Sequence, residues 1–324
     1  MQIPSSLPAD FPVIRDGGSV PPALKRGFVA IGNFDGVHRG HQAVIEAARV
    51  QAHMIPQKSC VLVLTFEPHP RTFFKPDAPV FRLTPEEAKL RLFAANNLVD
   101  GAVVLQFDKA LASLSAEDFV SKILVDWLGI AGVAVGHDFH FGKQRQGTPE
   151  FLIDAGKRYG FEVEIVQPLN DDGTPVSSGK IRDALQAGDL PRANDLLGYR
   201  WFVTGEVIHG EKRGRELGFP TANLRLDPTC RLRHGIYAVR AHVGGKSYDA
   251  VASFGRRPQF DNGAPLLEVF LFDFEGDLYG QEMTVEFAGF LRDEAKFGSL
   301  DALVAQMNRD SEQARALLRQ AGNA

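Results

Sequence analysis

The chain has 324 residues, 44% hydrophobic and 23% charged, with a formal net charge of −4. That length accommodates two domains with substantial cores, and the acidic balance argues against general nucleic-acid binding. Cys60 and Cys230 are too few and too far apart for a disulfide framework or a zinc site, and no run has the length of a membrane span or the core of a signal peptide, so a cytoplasmic protein is expected.

Residues 1–26 begin with Pro4, Pro8 and Pro12 and read as an N-terminal extension. From residue 27 to about 187, short apolar runs alternate with helical spacing. Strands are expected at 28–31, 60–66, 102–105, 132–135 and 163–166, with helices at 42–52, 85–95, 116–128 and 149–159. Strands separated by helices point to βαβ units and a parallel sheet, whose ligands bind beyond the carboxyl ends of the strands. Three polar motifs follow strand candidates there: Gly32-Asn-Phe-Asp-Gly-Val-His-Arg-Gly-His41, Glu67-Pro-His-Pro70 and Gly136-His-Asp-Phe-His-Phe-Gly142.

The first motif is the most informative. A helix beginning near Gly40 leaves backbone N–H groups pointing forward, which favours an anion. His38 and His41 add donors that can follow charge along a polyphosphate. The spacing H-x-G-H is similar to the signature of nucleotidyltransferases that break nucleoside triphosphates between the α and β phosphates. Further on, Ser177 or Ser178 can cap a helix, while Lys180 and Arg182 offer positive charge to a phosphate.

A short join at 188–199 leads to a different texture. Strand-like runs at 203–208, 236–243, 248–254, 266–272 and 283–290 are separated by turn residues such as Gly244-Gly245 and Glu275-Gly-Asp277, which suggests an antiparallel barrel or sandwich. A last helix is expected from Ser299 to about Leu318, with Leu300, Leu303, Val304 and Met307 on one face. No P-loop is present. Instead Gly214 and Gly218 flank a charged loop, and Pro220 fixes the backbone so that Thr221 and Asn223 face one side. A hydroxyl and a carboxamide oxygen are hard neutral ligands suited to magnesium already held by nucleotide phosphates. Glu268 interrupts an apolar run, where a carboxylate without a role is costly.

The motif order G-N-F-D-G-V-H-R-G-H, T-F-E-P-H-P, G-H-D-F-H-F-G and S-S-G-K-I-R resembles the FAD synthetase module of bacterial bifunctional riboflavin kinase/FAD synthetases. Pro220-Thr-Ala-Asn223, Gly235-Ile-Tyr237 and Leu266-Leu-Glu-Val-Phe-Leu-Phe-Asp-Phe274 resemble the riboflavin kinase module. The resemblance implies a Rossmann-like nucleotidyltransferase domain with a parallel sheet over 27–187, and an antiparallel β-barrel with a terminal helix over 200–324. It implies phosphorylation of riboflavin by ATP to FMN, and adenylylation of FMN by ATP to FAD and pyrophosphate, with Mg2+ at both sites.

On that resemblance Glu268 is the base for the riboflavin hydroxyl, and Thr221 and Asn223 hold the metal. His38, His41 and Arg182 act on the α-phosphate. Gly32, Asn33, Phe34, Asp35, Gly36, Ser177, Ser178, Gly214, Gly218 and Pro220 contact ATP, and Phe66, Pro68, Asp138, Phe139 and Phe141 contact flavin. No nucleic-acid or membrane partner is expected, and self-association is compatible with the sequence. Gly179 stands where the family normally has threonine, and Gln259 where it more often has threonine. A riboflavin kinase with a lapsed adenylylation site, and a flavin-binding regulator without turnover, remain alternatives; a cytidylyltransferase leaves the second half unexplained.

Overall fold

The structure is a computed structural model that describes residues 4, 6–55, 59–210, 218–256 and 265–321. They form two compact units, Met1–Val80 with Thr84–Ser177, and Phe81–Leu83 with Ser178–Ala324.

The first unit is built on a parallel sheet of six strands: β1 (Val13–Arg15), β2 (Phe28–Ile31), β3 (Val61–Glu67), β4 (Gly101–Gln106), β5 (Gly132–Gly136) and β6 (Glu162–Val166). Their order across the sheet is β1-β4-β3-β2-β5-β6. The chain runs outward from β2 through β3 to β4, then returns to lay β5 on the other side of β2. The carboxyl end of β2 is therefore the point where strand order reverses, the place at which open α/β sheets bind ligands. All four residues of β2 are buried, as expected for a strand covered on both faces.

The helices of this unit are α1 (Arg39–Met54), α2 (Pro70–Phe74), α3 (Glu86–Ala94), α4 (Lys109–Ser113), α5 (Ala116–Asp118), which runs on through Phe119–Leu128 with wider turns, and α6 (Pro149–Tyr159). The core joins Val29, Leu62, Val103 and Val133 of the strands to Leu124, Leu128 and Leu152 of the helices. Part of residues 1–26 belongs to the sheet: β1 pairs with β4, Val13 opposite Ala102 through Arg15 opposite Val104. Three residues are too few for a period to register. A small hairpin of β7 (Asn170–Asp171) and β8 (Thr174–Pro175) closes the unit.

The second unit begins with α7 (Ser178–Ala187) and α8 (Leu190–Leu197). The stretch read as a short join is thus largely helical. The Asp189 side chain accepts from Arg192 N, and Leu190, Ala193, Leu196 and Leu197 are buried. Asn194 ties this helix to the barrel, donating to the Phe287 carbonyl (3.0 Å) and accepting from Trp201 N (2.8 Å). The strands are β9 (Phe202–Ile208), β10 (Ala222–Arg225), β11 (Gly235–Val243), β12 (Lys246–Arg256), β13 (Pro265–Leu271) and β14 (Glu282–Arg292), followed by α9 (Leu300–Ala321). All neighbours are antiparallel, and β9 pairs with both β10 and β14, so the sheet closes into a barrel and not a sandwich.

Alternation along the strands fills the barrel with Tyr237, Phe254, Leu267, Val269, Val285 and Phe287, all fully buried. The Phe287 ring lies 5.1 Å from Trp201 and 5.2 Å from Tyr237, centroid to centroid. Phe287→Ala should therefore cost about 3–5 kcal/mol of stability in the second unit, read as a lowered urea midpoint; a change below about 1 kcal/mol would contradict this packing.

Candidate active sites

Between β2 and α1 the chain turns through residues 32–38. Phe34 (φ 49°), Gly36 (φ 90°) and Val37 (φ 38°) have left-handed backbone, and two of these carry side chains that resist it. Burial holds them: both side chains are within the core, with Phe34 edge-on to Phe93 (5.6 Å) and to His41 (5.2 Å). Asp35 is buried, and its Oδ1 accepts from Thr84 N at 3.0 Å, while Gly36 N donates to Thr84 Oγ1 at 2.8 Å. Asp35, expected at the nucleotide, is thus engaged in fastening its own loop.

His38 caps α1. Its Nδ1 accepts from His41 N at 3.2 Å, so the neutral ring carries its proton on Nε2. The two imidazoles stack at 3.6 Å with 15° between their planes. Gly40 eases this, since a Cβ there would press on the His38 ring at 3.1 Å and 3.2 Å and approach the Val176 carbonyl at 3.4 Å. Arg39, between the histidines, pairs with Asp171 of the β7–β8 hairpin at 3.3 Å. Two stacked imidazoles thus stand at the helix N-terminus, beside backbone N–H groups of the kind that favour negative charge.

The other two motifs follow β3 and β5 at the same sheet edge. Pro68, after a cis Glu67–Pro68 bond, is exposed. Asp138 has an exposed side chain and Phe139 is half-buried, stacked on Phe141 at 5.6 Å. Phe66 and Phe141 were expected to face flavin. The structure places both rings in the apolar core, 8% and 7% exposed, Phe66 edge-on to Phe107 and Phe141 against Phe119 and Phe151. Little of either ring is open to a ligand. Ser177 ends the first compact unit and Ser178 opens the second. Arg182, on α7, donates from Nε to the Phe81 carbonyl at 2.7 Å within the second unit.

On the outer face of the barrel, Asn223 of β10 lies opposite Glu268 of β13, which lies opposite Ser253 of β12. One row of neighbouring strands thus carries a carboxamide, a carboxylate and a hydroxyl side by side. Glu268 and Ser253 border a cavity of roughly 320 Å³ whose walls also include Thr221, Phe270, Arg292 and Met307. Helix α9 forms the opposite wall through Leu303, Met307 and Asp310. Gly210 gives Asn223 its room, because a Cβ there would lie 2.4 Å from the Asn223 amide nitrogen. The oxygen chemistry of Thr221 and Asn223 beside a carboxylate suits a hard divalent cation. Gly218 is left-handed (φ 83°) and Pro220 is exposed, while Gly214 lies outside the described residues.

Several working residues carried no signal recognised in the sequence. Asp310 is buried on α9 and grips Arg292 with both oxygens, at 2.9 Å and 2.6 Å, with Gln306 adding a third bond at 2.8 Å. Arg315 makes a second, exposed link from α9, and its guanidinium holds the Asp273 carboxyl below the usual carboxylate range. Lys89 is buried on α3; a lysine inside the apolar spacing of that helix was its visible sign.

Fold and sites together define a protein of two modules, a parallel-sheet unit with stacked imidazoles at a helix N-terminus and a closed barrel with a carboxylate in the wall of a cavity. The FAD synthetase family profile matches residues 20–180, and the riboflavin kinase profile matches residues 197–318. The bifunctional riboflavin kinase/FMN adenylyltransferase of Pseudomonas fluorescens is 46% identical over 294 residues, covering 90% of this chain and 93% of that protein. That of Escherichia coli K12 is 39% identical over 288 residues, covering 89% and 91%. A crystal structure titled macrolide-efflux protein, from Streptococcus pneumoniae, superposes with a TM-score of 0.82 at 32% identity, covering 94% of this chain and 98% of that one. Among the described residues no helix is long and apolar enough to cross a membrane. The chain belongs to the bifunctional riboflavin kinase/FMN adenylyltransferase family.

Asp310→Ala leaves the partly buried Arg292 without its bidentate acceptor. The expected loss is about 2–3 kcal/mol in urea unfolding, below the full penalty because Arg292 keeps some contact with solvent. A loss under about 0.5 kcal/mol would show that the pair does not secure α9.

Proposed function

We propose that the two reactions are divided between the modules, FMN adenylylation over residues 27–187 and riboflavin phosphorylation over 200–324. The substrates, riboflavin, FMN and ATP, suit a cytoplasmic enzyme that needs neither membrane nor nucleic acid.

In the kinase module the carrying observation is Glu268 in the wall of the cavity, with Asn223 opposite it on the neighbouring strand. Riboflavin attacks as a neutral alcohol, so its proton must leave as the bond to phosphorus forms, and a carboxylate within the cavity can accept it. Thr221 and Asn223 hold the magnesium, which when bound offsets charge on the ATP phosphates. Arg292 and Asp310 fix the wall formed by α9, so that the flavin lies between barrel and helix.

The adenylyltransferase module needs no base. FMN presents an oxygen that is already anionic at neutral pH, so the requirement is stabilisation of charge at the α-phosphate and on departing pyrophosphate. The α1 N-terminus supplies N–H groups, and His38 and His41 donate through their ring nitrogens. Ser177, which closes the same unit, serves the outer phosphates. Pro68, Asp138 and Phe139 meet the flavin at the surface, with Phe141 supporting Phe139 from beneath.

Glu268→Ala should lower riboflavin phosphorylation about 100-fold or more while FAD formation from supplied FMN stays within about threefold of wild type. The double variant His38→Ala/His41→Ala should do the reverse. Loss of both activities in either variant would contradict two separate sites.

A further inference from the structure

Lys89 is 2% exposed, and a buried ammonium is costly unless every donor is used. Its Nζ lies 2.7 Å from Glu67 Oε1, 3.0 Å from Thr65 Oγ1 and 3.4 Å from the Asn33 carbonyl oxygen. Three N–H groups thus find a carboxylate, a hydroxyl and a peptide carbonyl. Thr65 Oγ1 passes the contact on, donating to the same Asn33 carbonyl at 3.0 Å. The carboxylate and hydroxyl belong to the end of β3, and the carbonyl belongs to the loop after β2 that leads into His38. Five residues earlier, Thr84 grips that loop at a second point through Asp35 and Gly36.

If cohesion were all that was needed, an apolar pair in place of Lys89 and Glu67 would serve as well or better, because buried ion pairs are often no more stabilising than well-packed apolar residues. An apolar side chain would leave the Asn33 carbonyl without its ammonium donor, however, and would remove the same donor from Thr65 Oγ1, the hydroxyl that also holds that carbonyl. We propose that Lys89 is a positioning residue for adenylyl transfer. It fastens the 32–38 loop to the end of β3, so that the stacked imidazoles meet the reacting phosphate in one geometry. This rests on the assignment of His38 and His41 to that reaction.

The test uses the full chain with Lys89→Met and with Lys89→Met/Glu67→Gln, the second leaving no unpaired charge buried. FAD formation from FMN, riboflavin phosphorylation and thermal melting are measured on the same preparations. The expected result is a fall of about 100-fold in kcat for FAD formation in both variants. KM for FMN and ATP should change less than about threefold, riboflavin phosphorylation should be unchanged, and the double variant should melt as the wild type does.

Three results would overturn the proposal. One is a double variant whose kcat stays within about threefold of wild type. Another is a rise in KM with kcat unchanged. The third is failure of the first unit to fold in both variants, which would make the pair a determinant of the fold. His38→Ala/His41→Ala run in parallel separates the two claims. If that variant still makes FAD, the histidine assignment falls; if it is inactive while both Lys89 variants are active, only the role of Lys89 falls.

Discussion

The turn from β2 into α1 is held in a backbone conformation that its residues would not adopt alone. Phe34 and Val37 have left-handed φ angles of 49° and 38°, each costing about 1–3 kcal/mol. Their buried side chains return a similar amount, about 1.5–3 kcal/mol each. The loop is stable because its strain and its burial are coupled, and neither ring nor backbone can relax without the other. From this the rest of the proposed adenylylation site follows. The loop delivers His38 as the cap of α1, the cap fixes the tautomer of His38, and Gly40 eases the stacking of His41 upon it.

The proposed kinase site depends on a different constraint, the register of an antiparallel barrel. Asn223, Glu268 and Ser253 are far apart in sequence but fall in one row because β13 pairs with β10 on one side and β12 on the other. A slip by one residue would turn Glu268 into the barrel interior. The fully buried Leu267 and Val269 on either side of it oppose that slip. The outer face of the barrel needs cover, and α9 supplies it, locked by the Arg292–Asp310 pair. One device positions chemistry by strain and the other by pairing.

Much of this was legible in the residues. The apolar run of β2 followed by H-x-G-H announced a parallel strand turning into a helix, and both elements lie at the sheet's reversal point. Glu268 stood out as a charge within an apolar run. Other features were not legible for physical reasons. The strand β1 is too short to show a period, and α8 is a helix of only eight residues. An aromatic at a strand end packs inward or outward according to its neighbours, which is why Phe66 and Phe141 read as ligand contacts yet lie in the core. Asp35 reads as a ligand group, but its partner, Thr84, is distant in sequence. Lys89 broke the apolar spacing of its helix, but its partners, like that of Asp310, are brought to it by folding, which no local pattern records.

The central claim is that one chain carries FMN synthesis in its barrel and FAD synthesis in its parallel-sheet module. The most direct measurement is chromatography of purified protein incubated with riboflavin, ATP and magnesium, following both flavin products over time. The account predicts that FMN rises first and then declines as FAD accumulates. FMN without FAD, even when FMN is supplied directly, or no product at all, would contradict it.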